Sequence, residues 1–281
     1  MTFKTKLSLI FSLTILLLVS CDPLVTEFPT KQAAREYEAN SITVPLNKDT
    51  LTVVTWNIRF GIGRAEWFGD SCGELVLFDK DEIQNGLELL AAKIIAMDAD
   101  ILLLQEVDID SKRSAYIDQV QWLLDNTTMN YGVYASMWEV QFVPSDGLGR
   151  VNTGNAILSR WPLSEAERLQ LSLRGDQDDL TKAFYVRRNV LRAKVNYPDR
   201  PFWAVDIHAS AFSNDDTKQK QYLEFKDVLD ELDNQGKNFI AGGDLNELPP
   251  GAVKNNYCDN DRCPGEEEDD DEGCDFSNET T

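Results

Sequence analysis

Four places in the chain set polar residues directly after apolar runs. Asn57 closes the run from Leu51, Gln105-Glu106 closes Ile101 to Leu104, His208 closes the run from Phe202, and Asp244 with Asn246 follows Asn238 to Gly242. Loops at one edge of a sheet pair converge on one cleft, so four such sites together form a constellation. Any one of them alone is bland: a Glu after an apolar strand is more often solvated, and a lone strand-end His is more often structural. Brought together, the carboxylates, amides and imidazole supply a proton acceptor and donors for developing negative charge. His208 is the only histidine, which excludes every mechanism that needs two imidazoles.

The elements that must position these groups follow from periodicity. β-branched and aromatic residues over Leu51 to Ile58 predict a strand. Ile83, Leu87, Leu90, Ile94 and Ile95 recur at helical spacing after Asp81, which can cap the helix start, and Ile101 to Leu104 reads as a buried strand. A second helix is expected between about Ser114 and Asn126, with Ile117, Val120 and Leu124 on one face. Further strands are expected over Tyr131 to Trp138, Asn155 to Ser159, Asn189 to Val195, Phe202 to His208 and Asn238 to Gly242. A helix from about Asp216 to Leu232 should turn Tyr222, Phe225, Leu229 and Leu232 inward. Helices inserted among many strands, some at hairpin spacing, predict an α/β protein whose mixed sheets are covered on both outer faces. One domain over residues 50–250 holds all of these elements.

A chain of 281 residues, 42% hydrophobic, can bury a real core, which rules out wholesale disorder and a disulfide-only miniprotein. The formal net charge of −21 argues against holding nucleic acid by bulk attraction. It does not exclude a nuclease whose metal ions supply the positive charge.

The N-terminus reads as a targeting segment. Lys4 and Lys6 precede an apolar run from Leu7 to Val19, too short to span a bilayer but suited to a signal-peptide core. Leu18-Val19-Ser20-Cys21 resembles a bacterial lipobox, which implies lipidation of Cys21 and a membrane anchor in the bacterial cell envelope, outside the cytoplasm. The alternative is an ordinary cleaved signal, residues 1–20, with a chance Cys. Residues 21–49 carry Pro23, Pro29 and Pro45 without sustained periodicity and are expected to be a tether, with a short helical patch around Ala33 to Ala39.

Trp56-Asn57, Leu104-Gln105-Glu106-Val107, Gly154-Asn155-Ala156-Ile157-Leu158-Ser159-Arg160, Asp206-Ile207-His208 and Gly242-Gly243-Asp244-Leu245-Asn246 resemble the ordered motifs of the endonuclease/exonuclease/phosphatase superfamily. That superfamily includes pancreatic-type deoxyribonucleases, apurinic endonucleases, neutral sphingomyelinases and inositol-phosphate phosphatases. The resemblance covers about residues 50–250 and implies a four-layer α/β/β/α sandwich of two mixed β-sheets, with the active site at one end of the packed sheets. It leaves the substrate open, since one scaffold serves many phosphoesters.

Site roles follow from the resemblance. Glu106 matches the divalent-metal ligand, and Asn57 the strand-end amide that positions metal and phosphate. Asp244, also facing the metal, and Asn246 match the pair that aligns the attacking water and the phosphoryl oxygens, while His208 matches the His on the scissile phosphate. Arg188 sits where many relatives keep a phosphate-contacting arginine, though a plain surface arginine fits equally. Hard oxygen ligands suit Mg²⁺, or Mn²⁺ in its place. A phosphodiester repels hydroxide, so a cation must neutralise its oxygens while a carboxylate turns water into a nucleophile.

Two departures stand out. Arg150-Val151-Asn152-Thr153 occupies the place of a Tyr or Glu in relatives, and the Ser-Asp-His element that closes the site of relatives near the C-terminus is missing. The second half of the sandwich is therefore expected to be incomplete, as in a fragment or in a relative that has lost catalysis. Residues 251–281 form an acidic, Cys-containing insert or tail, with ten acids and one Arg between Asp259 and Asp275. Such a run reads first as a solvated, self-repelling segment. Ca²⁺ is the sharper reading, yet Glu266 to Glu272 lacks the alternating ligands of an EF-hand. Apart from Cys21, the cysteines are Cys72, Cys258, Cys263 and Cys274, an even set that suits disulfides in an exported protein, with a tetrathiolate zinc site as runner-up.

The expected function is thus a membrane-anchored, divalent-metal-dependent phosphodiester hydrolase, a monomer. Its substrate would be a lipid head group or small phosphodiester ahead of long nucleic acid. The alternative is a non-catalytic lipoprotein on a remnant of the fold, binding calcium or a partner through its acidic end.

Overall fold

The computed structural model describes residues 24–69, 73–143, 145–211, 213–249 and 251–252. Its strands are β1 (Lys31–Ala33), β2 (Arg35–Glu38), β3 (Val53–Asn57), β4 (Ile101–Asp108), β5 (Tyr131–Val143), β6 (Gly149–Ser159), β7 (Leu163–Gln170), β8 (Asn189–Val195), β9 (Phe202–His208) and β10 (Phe239–Asp244). The helices are α1 (Lys80–Ala96), α2 (Gln119–Asn126), α3 (Asp179–Phe184) and α4 (Thr217–Asn234).

Two five-stranded sheets result, ordered β2-β5-β6-β4-β3 and β1-β7-β8-β9-β10. Each is mixed, because one edge pair is parallel, β3 with β4 and β9 with β10, while the remaining pairs are antiparallel. Side-chain alternation sorts the core into layers. Along β4, Leu102 and Leu104 meet Ile83, Leu87, Ile94, Val120 and Leu124 of α1 and α2. Ile101 and Leu103 point the other way, into a middle layer with Leu191, Ala193 and Ala204 of the second sheet. Val190, Val205 and Ile207 then face Phe225, Leu229 and Leu232 of α4 on the outer side. Helix, sheet, sheet, helix is the four-layer sandwich expected from the sequence. Each fully buried Leu or Ile in these layers contributes roughly 1.5–3 kcal/mol.

Several boundaries differ from the sequence-based expectation. Asp79, not Asp81, caps α1, in a capping box with Glu82. Ile95 is half exposed, since it cannot share the buried face that Ile94 occupies. The second helix begins only at Gln119, capped by Asp118, because Ala115 and Tyr116 take left-handed backbone after a 3-10 turn over Lys112–Ser114. Neither β7 nor α3 is expected from the sequence pattern.

The largest correction concerns the expected tether. No helix forms around Ala33 to Ala39; β1 joins the edge of one sheet beside β7, and β2 joins the edge of the other beside β5. Ala34, whose N–H donates to the Ala166 carbonyl, lies between them. Tyr37 and Ala39 contribute to the core, and Val25 is buried. Charged Lys31, Arg35, Glu36 and Glu38 lie on these edge strands, as edge strands favour. Residues 1–20, Cys21, the other four cysteines and the acidic run 259–275 lie outside the described residues. Among the described residues, no helix is long and apolar enough to cross a membrane.

Candidate active site

Both parallel pairs end at the same seam. Asn57 closes β3 with Gln105 of β4 as its Cα partner, and Asp244 closes β10 with His208 of β9 as its partner. The register of β4 against β6 shifts between Leu104 and Val107, and within this bulge Glu106 has a left-handed backbone (φ 55°). Bulges re-aim side chains at functional sites, and a non-glycine residue at positive φ carries strain that the surrounding structure must hold. Gly243 (φ 140°) lets the two parallel strands approach: a Cβ there would lie 2.0 Å from the Ile207 carbonyl oxygen. Asn246, also left-handed (φ 52°), donates its N–H to Asp244 Oδ1 at 2.9 Å and its Nδ2 to the Ala209 carbonyl at 3.0 Å.

The seam brings the sequence-chosen residues together. Asn57 Nδ2 donates to Glu106 Oε1 at 3.0 Å and to Asp244 Oδ2 at 2.9 Å, while Asn57 Oδ1 accepts the Arg59 N–H at 3.0 Å. His208 Nε2 stands 3.7 Å from Asp244 Oδ2 and 4.0 Å from Glu106 Oε1. Burial, reinforced by the charge of Arg188, holds the His208 pKa well below the usual imidazole range, so the ring is neutral at pH 7. Its Nδ1 is buried without a hydrogen-bond partner among the described residues.

Arg188 is not a surface arginine. It is partly buried, donates from Nη1 to Met137 Sδ at 3.1 Å, and its Nε has no partner among the described residues. Burial lowers its pKa, and the charges of Glu106 and Asp244 oppose that shift, so this cation lies within electrostatic reach of the two carboxylates.

Gln105 and Asp206 lie in motifs singled out in the sequence, which assigns neither of them a role at the site. Gln105 Nε2 donates to Asp206 Oδ1 at 2.6 Å and to Thr55 Oγ1 at 3.3 Å, joining the sheets directly behind Glu106 and His208. Burial first, and the Asp244 charge after it, push the Asp206 carboxyl well above the usual carboxylate range. Polar residues flanked by apolar ones within strands otherwise fully buried were the available signal. The chain just past the bulge is pinned too: Arg113 forms a two-point ion pair with Asp108, both distances 2.9 Å, and stacks on the Phe60 ring at 3.7 Å.

Among the described residues no three His, Cys, Asp or Glu side chains form a ready metal cage. Two convergent carboxylates beside an amide and an imidazole nevertheless fit a hard cation that keeps several waters. Glu106 and Asp244 would hold it. Asn57, expected to position metal and phosphate, faces the two carboxylates through its Nδ2 and orients them.

A family profile described as Endonuclease/Exonuclease/phosphatase family matches residues 54–280. The chain belongs to this family. No curated protein matches it significantly. Among solved structures, an endonuclease/exonuclease/phosphatase from Beutenbergia cavernae aligns with TM-score 0.48 and 21% identity over 70% of this chain. This chain spans 47% of that one. The human Nocturnin catalytic domain with bound sulfate aligns with TM-score 0.47 and 19% identity, covering 77% of this chain and 69% of that chain. A TDP2 from Caenorhabditis elegans gives 0.42 and 18%, covering 74% and 53%. Enzymes of the endonuclease/exonuclease/phosphatase family are phosphoester hydrolases and generally depend on divalent metal.

Proposed function

We propose that this protein hydrolyses phosphodiesters at the Glu106–Asp244 seam with the help of Mg²⁺ or Mn²⁺. One observation carries the reading: Asn57 Nδ2 bridges a carboxylate from each sheet, with a neutral imidazole and a cation alongside.

When bound, a divalent cation neutralises phosphoryl oxygens and lowers the pKa of water. The chain's own groups do the rest. Asp244 is oriented by the Asn246 N–H on Oδ1 and the Asn57 amide on Oδ2, which leaves it placed to accept a proton from the attacking water. Asn246 thus acts through Asp244, its own side-chain amide being engaged with Ala209. Neutral His208 donates from Nε2 to a phosphoryl oxygen, and Arg188 balances the charge of the five-coordinate phosphorus. The new bond joins the water oxygen to phosphorus, the ester P–O bond breaks, and the leaving alkoxide takes up a proton from solvent while Asp244 returns the one it accepted to water.

In the same reading the protein is a monomer held in the bacterial cell envelope by a lipid on Cys21, acting on lipid head groups or small phosphodiesters there. The N-terminal charge and apolar pattern and the net charge of −21 support this. The decisive experiment follows hydrolysis of bis-p-nitrophenyl phosphate by the full chain with added Mn²⁺ or Mg²⁺. Turnover abolished by chelator and by Asp244→Ala supports the reading; no turnover with any divalent metal overturns it, and metal binding without turnover favours a non-catalytic lipoprotein. Palmitate labelling that survives in Cys21→Ala would overturn the anchor.

A further inference from the structure

A cavity of about 240 Å³ opens between the β1–β2 edge and the hairpin of β5 and β6, apart from the residues of the seam. Phe28, Gln32, Tyr134, Ser136, Asn152 and Arg168 contribute to its lining.

Arg168 is the unusual member. It is completely buried, yet no carboxylate oxygen of the described residues lies within ion-pair distance. Its Nε donates to the Ser136 carbonyl at 2.9 Å, and Nη2 to Gln170 Oε1 and the Arg187 carbonyl, both at 2.8 Å. Its face stacks on Phe28 at 4.0 Å. Among the described residues Nη1 has no hydrogen-bond partner. Buried arginines elsewhere in this fold do have acids: Arg113 has Asp108, Arg187 has Glu27 and Arg192 has Glu167.

A buried charge without a counter-ion is disfavoured, and carbonyl acceptors neutralise none of it. Burial and the neighbouring Arg187 charge accordingly draw the Arg168 pKa down to about 10, still charged at neutral pH. Asn152 offers a second donor on the same wall. Its Oδ1 accepts from Tyr134 Oη at 3.0 Å and Ser136 Oγ at 2.8 Å, which fixes the amide, and among the described residues Nδ2 has no hydrogen-bond partner. Glu139 and Arg35, also on the lining, bring one charge of each sign.

We propose that this cavity is a binding site for a small oxyanion, a carboxylate or phosphate group, that draws Arg168 Nη1, fully buried here, towards the cavity and takes the Asn152 amide. A volume of about 240 Å³ exceeds the ~30 Å³ share of a single water several-fold, so an oxyanion with its hydration fits. The proposal stands apart from the hydrolase reading.

The test titrates inorganic phosphate, and separately acetate, into the chelator-treated full chain by isothermal calorimetry, in an Arg188→Met background that removes the cation of the seam. One anion per chain is expected, with affinity weakened at least tenfold in Arg168→Met, which keeps an apolar stem on Phe28. Asn152→Asp, which supplies an internal carboxylate, should weaken it similarly and decides the matter if Arg168→Met fails to fold. The stronger of the two anions names the head group. Binding unchanged in both cavity variants, binding lost already in Arg188→Met, or no binding of either anion up to about 10 mM would overturn the proposal.

Discussion

Asn57 Nδ2 lies within 3.0 Å of Glu106 Oε1 and 2.9 Å of Asp244 Oδ2, so one amide ties together a carboxylate from each sheet. Without it, two negative groups would face each other across the seam unshared. In Asn57→Ala the carboxylates are expected to splay, and Mn²⁺ affinity measured by calorimetry should fall about 10- to 100-fold, the usual cost of losing a group that orients metal ligands. Unchanged Mn²⁺ affinity would show that the amide plays no part in shaping the pair.

The left-handed backbone at Glu106 stores strain of roughly 1–2 kcal/mol for a residue with a Cβ. Glu106→Gly should therefore raise the urea-unfolding free energy by about 1 kcal/mol while abolishing hydrolysis. A destabilised Glu106→Gly would mean that the carboxylate's hydrogen bond outweighs the strain.

His208 is the only histidine, so its Cε1 proton gives an unambiguous NMR signal. Its folded pKa is depressed by burial and by Arg188, below the unfolded value of about 6.5. As pH falls through 6.5 the unfolded chain takes up a proton that the folded chain refuses, so stability must drop with decreasing pH. The slope approaches about 1.4 kcal/mol per pH unit. The resonance of the chelated protein should stay at its neutral position from pH 7 to pH 5.5; a midpoint near 6.5 would contradict the buried, neutral ring.

Asp206 works in the opposite sense. Its folded pKa is raised, so above the unfolded carboxylate value the unfolded chain ionises while the folded chain holds its proton, and this residue costs stability as pH rises. Asp206→Asn keeps an acceptor for Gln105 and removes that cost. It should raise the melting temperature at pH 7, with the gain vanishing near pH 3.5. Equal melting temperatures at pH 7 would show that Asp206 carries no such penalty.

How much of this was legible in the sequence depended on whether local pattern and tertiary demand agreed. β4, β8 and β9 carry long apolar stretches buried on both faces, and their ends announced the site because polar residues there interrupt otherwise apolar runs. β7 is different: Leu163-Ser164-Glu165-Ala166-Glu167-Arg168-Leu169-Gln170 favours helix locally, and becomes a strand only because β1 and β8 hydrogen-bond to both its edges. The bulge at Glu106 left no mark on composition, since it arises from the β4 and β6 register. Arg168 could not be singled out either, because its lack of a carboxylate partner among the described residues is a property of packing and not of neighbours in the chain.

The N-terminal strands supply a further test. Residues 24–40 supply one edge strand to each sheet, covering β7 and β5, and bind the segment that carries Arg188 through the Glu27–Arg187 ion pair at 2.5 Å. A chain beginning at Ser41 exposes two unpaired edges and should self-associate on size-exclusion chromatography, with loss of cooperative thermal unfolding. A monomeric, cooperatively folding truncation would return these residues to the status of a tether.

The middle layer of the sandwich has a consequence for metal selectivity. Ala135, Ala193 and Ala204 keep that layer thin between the larger Leu103, Ile157 and Leu191, and the carboxylates of the seam belong to opposite sheets. The gap across which Glu106 and Asp244 face each other is therefore gauged by side chains that never touch it. In the proposed reading, the spacing that would discriminate a small cation from a large one is set in the hydrophobic core, where enlarging one alanine would retune the site like a shim between two plates.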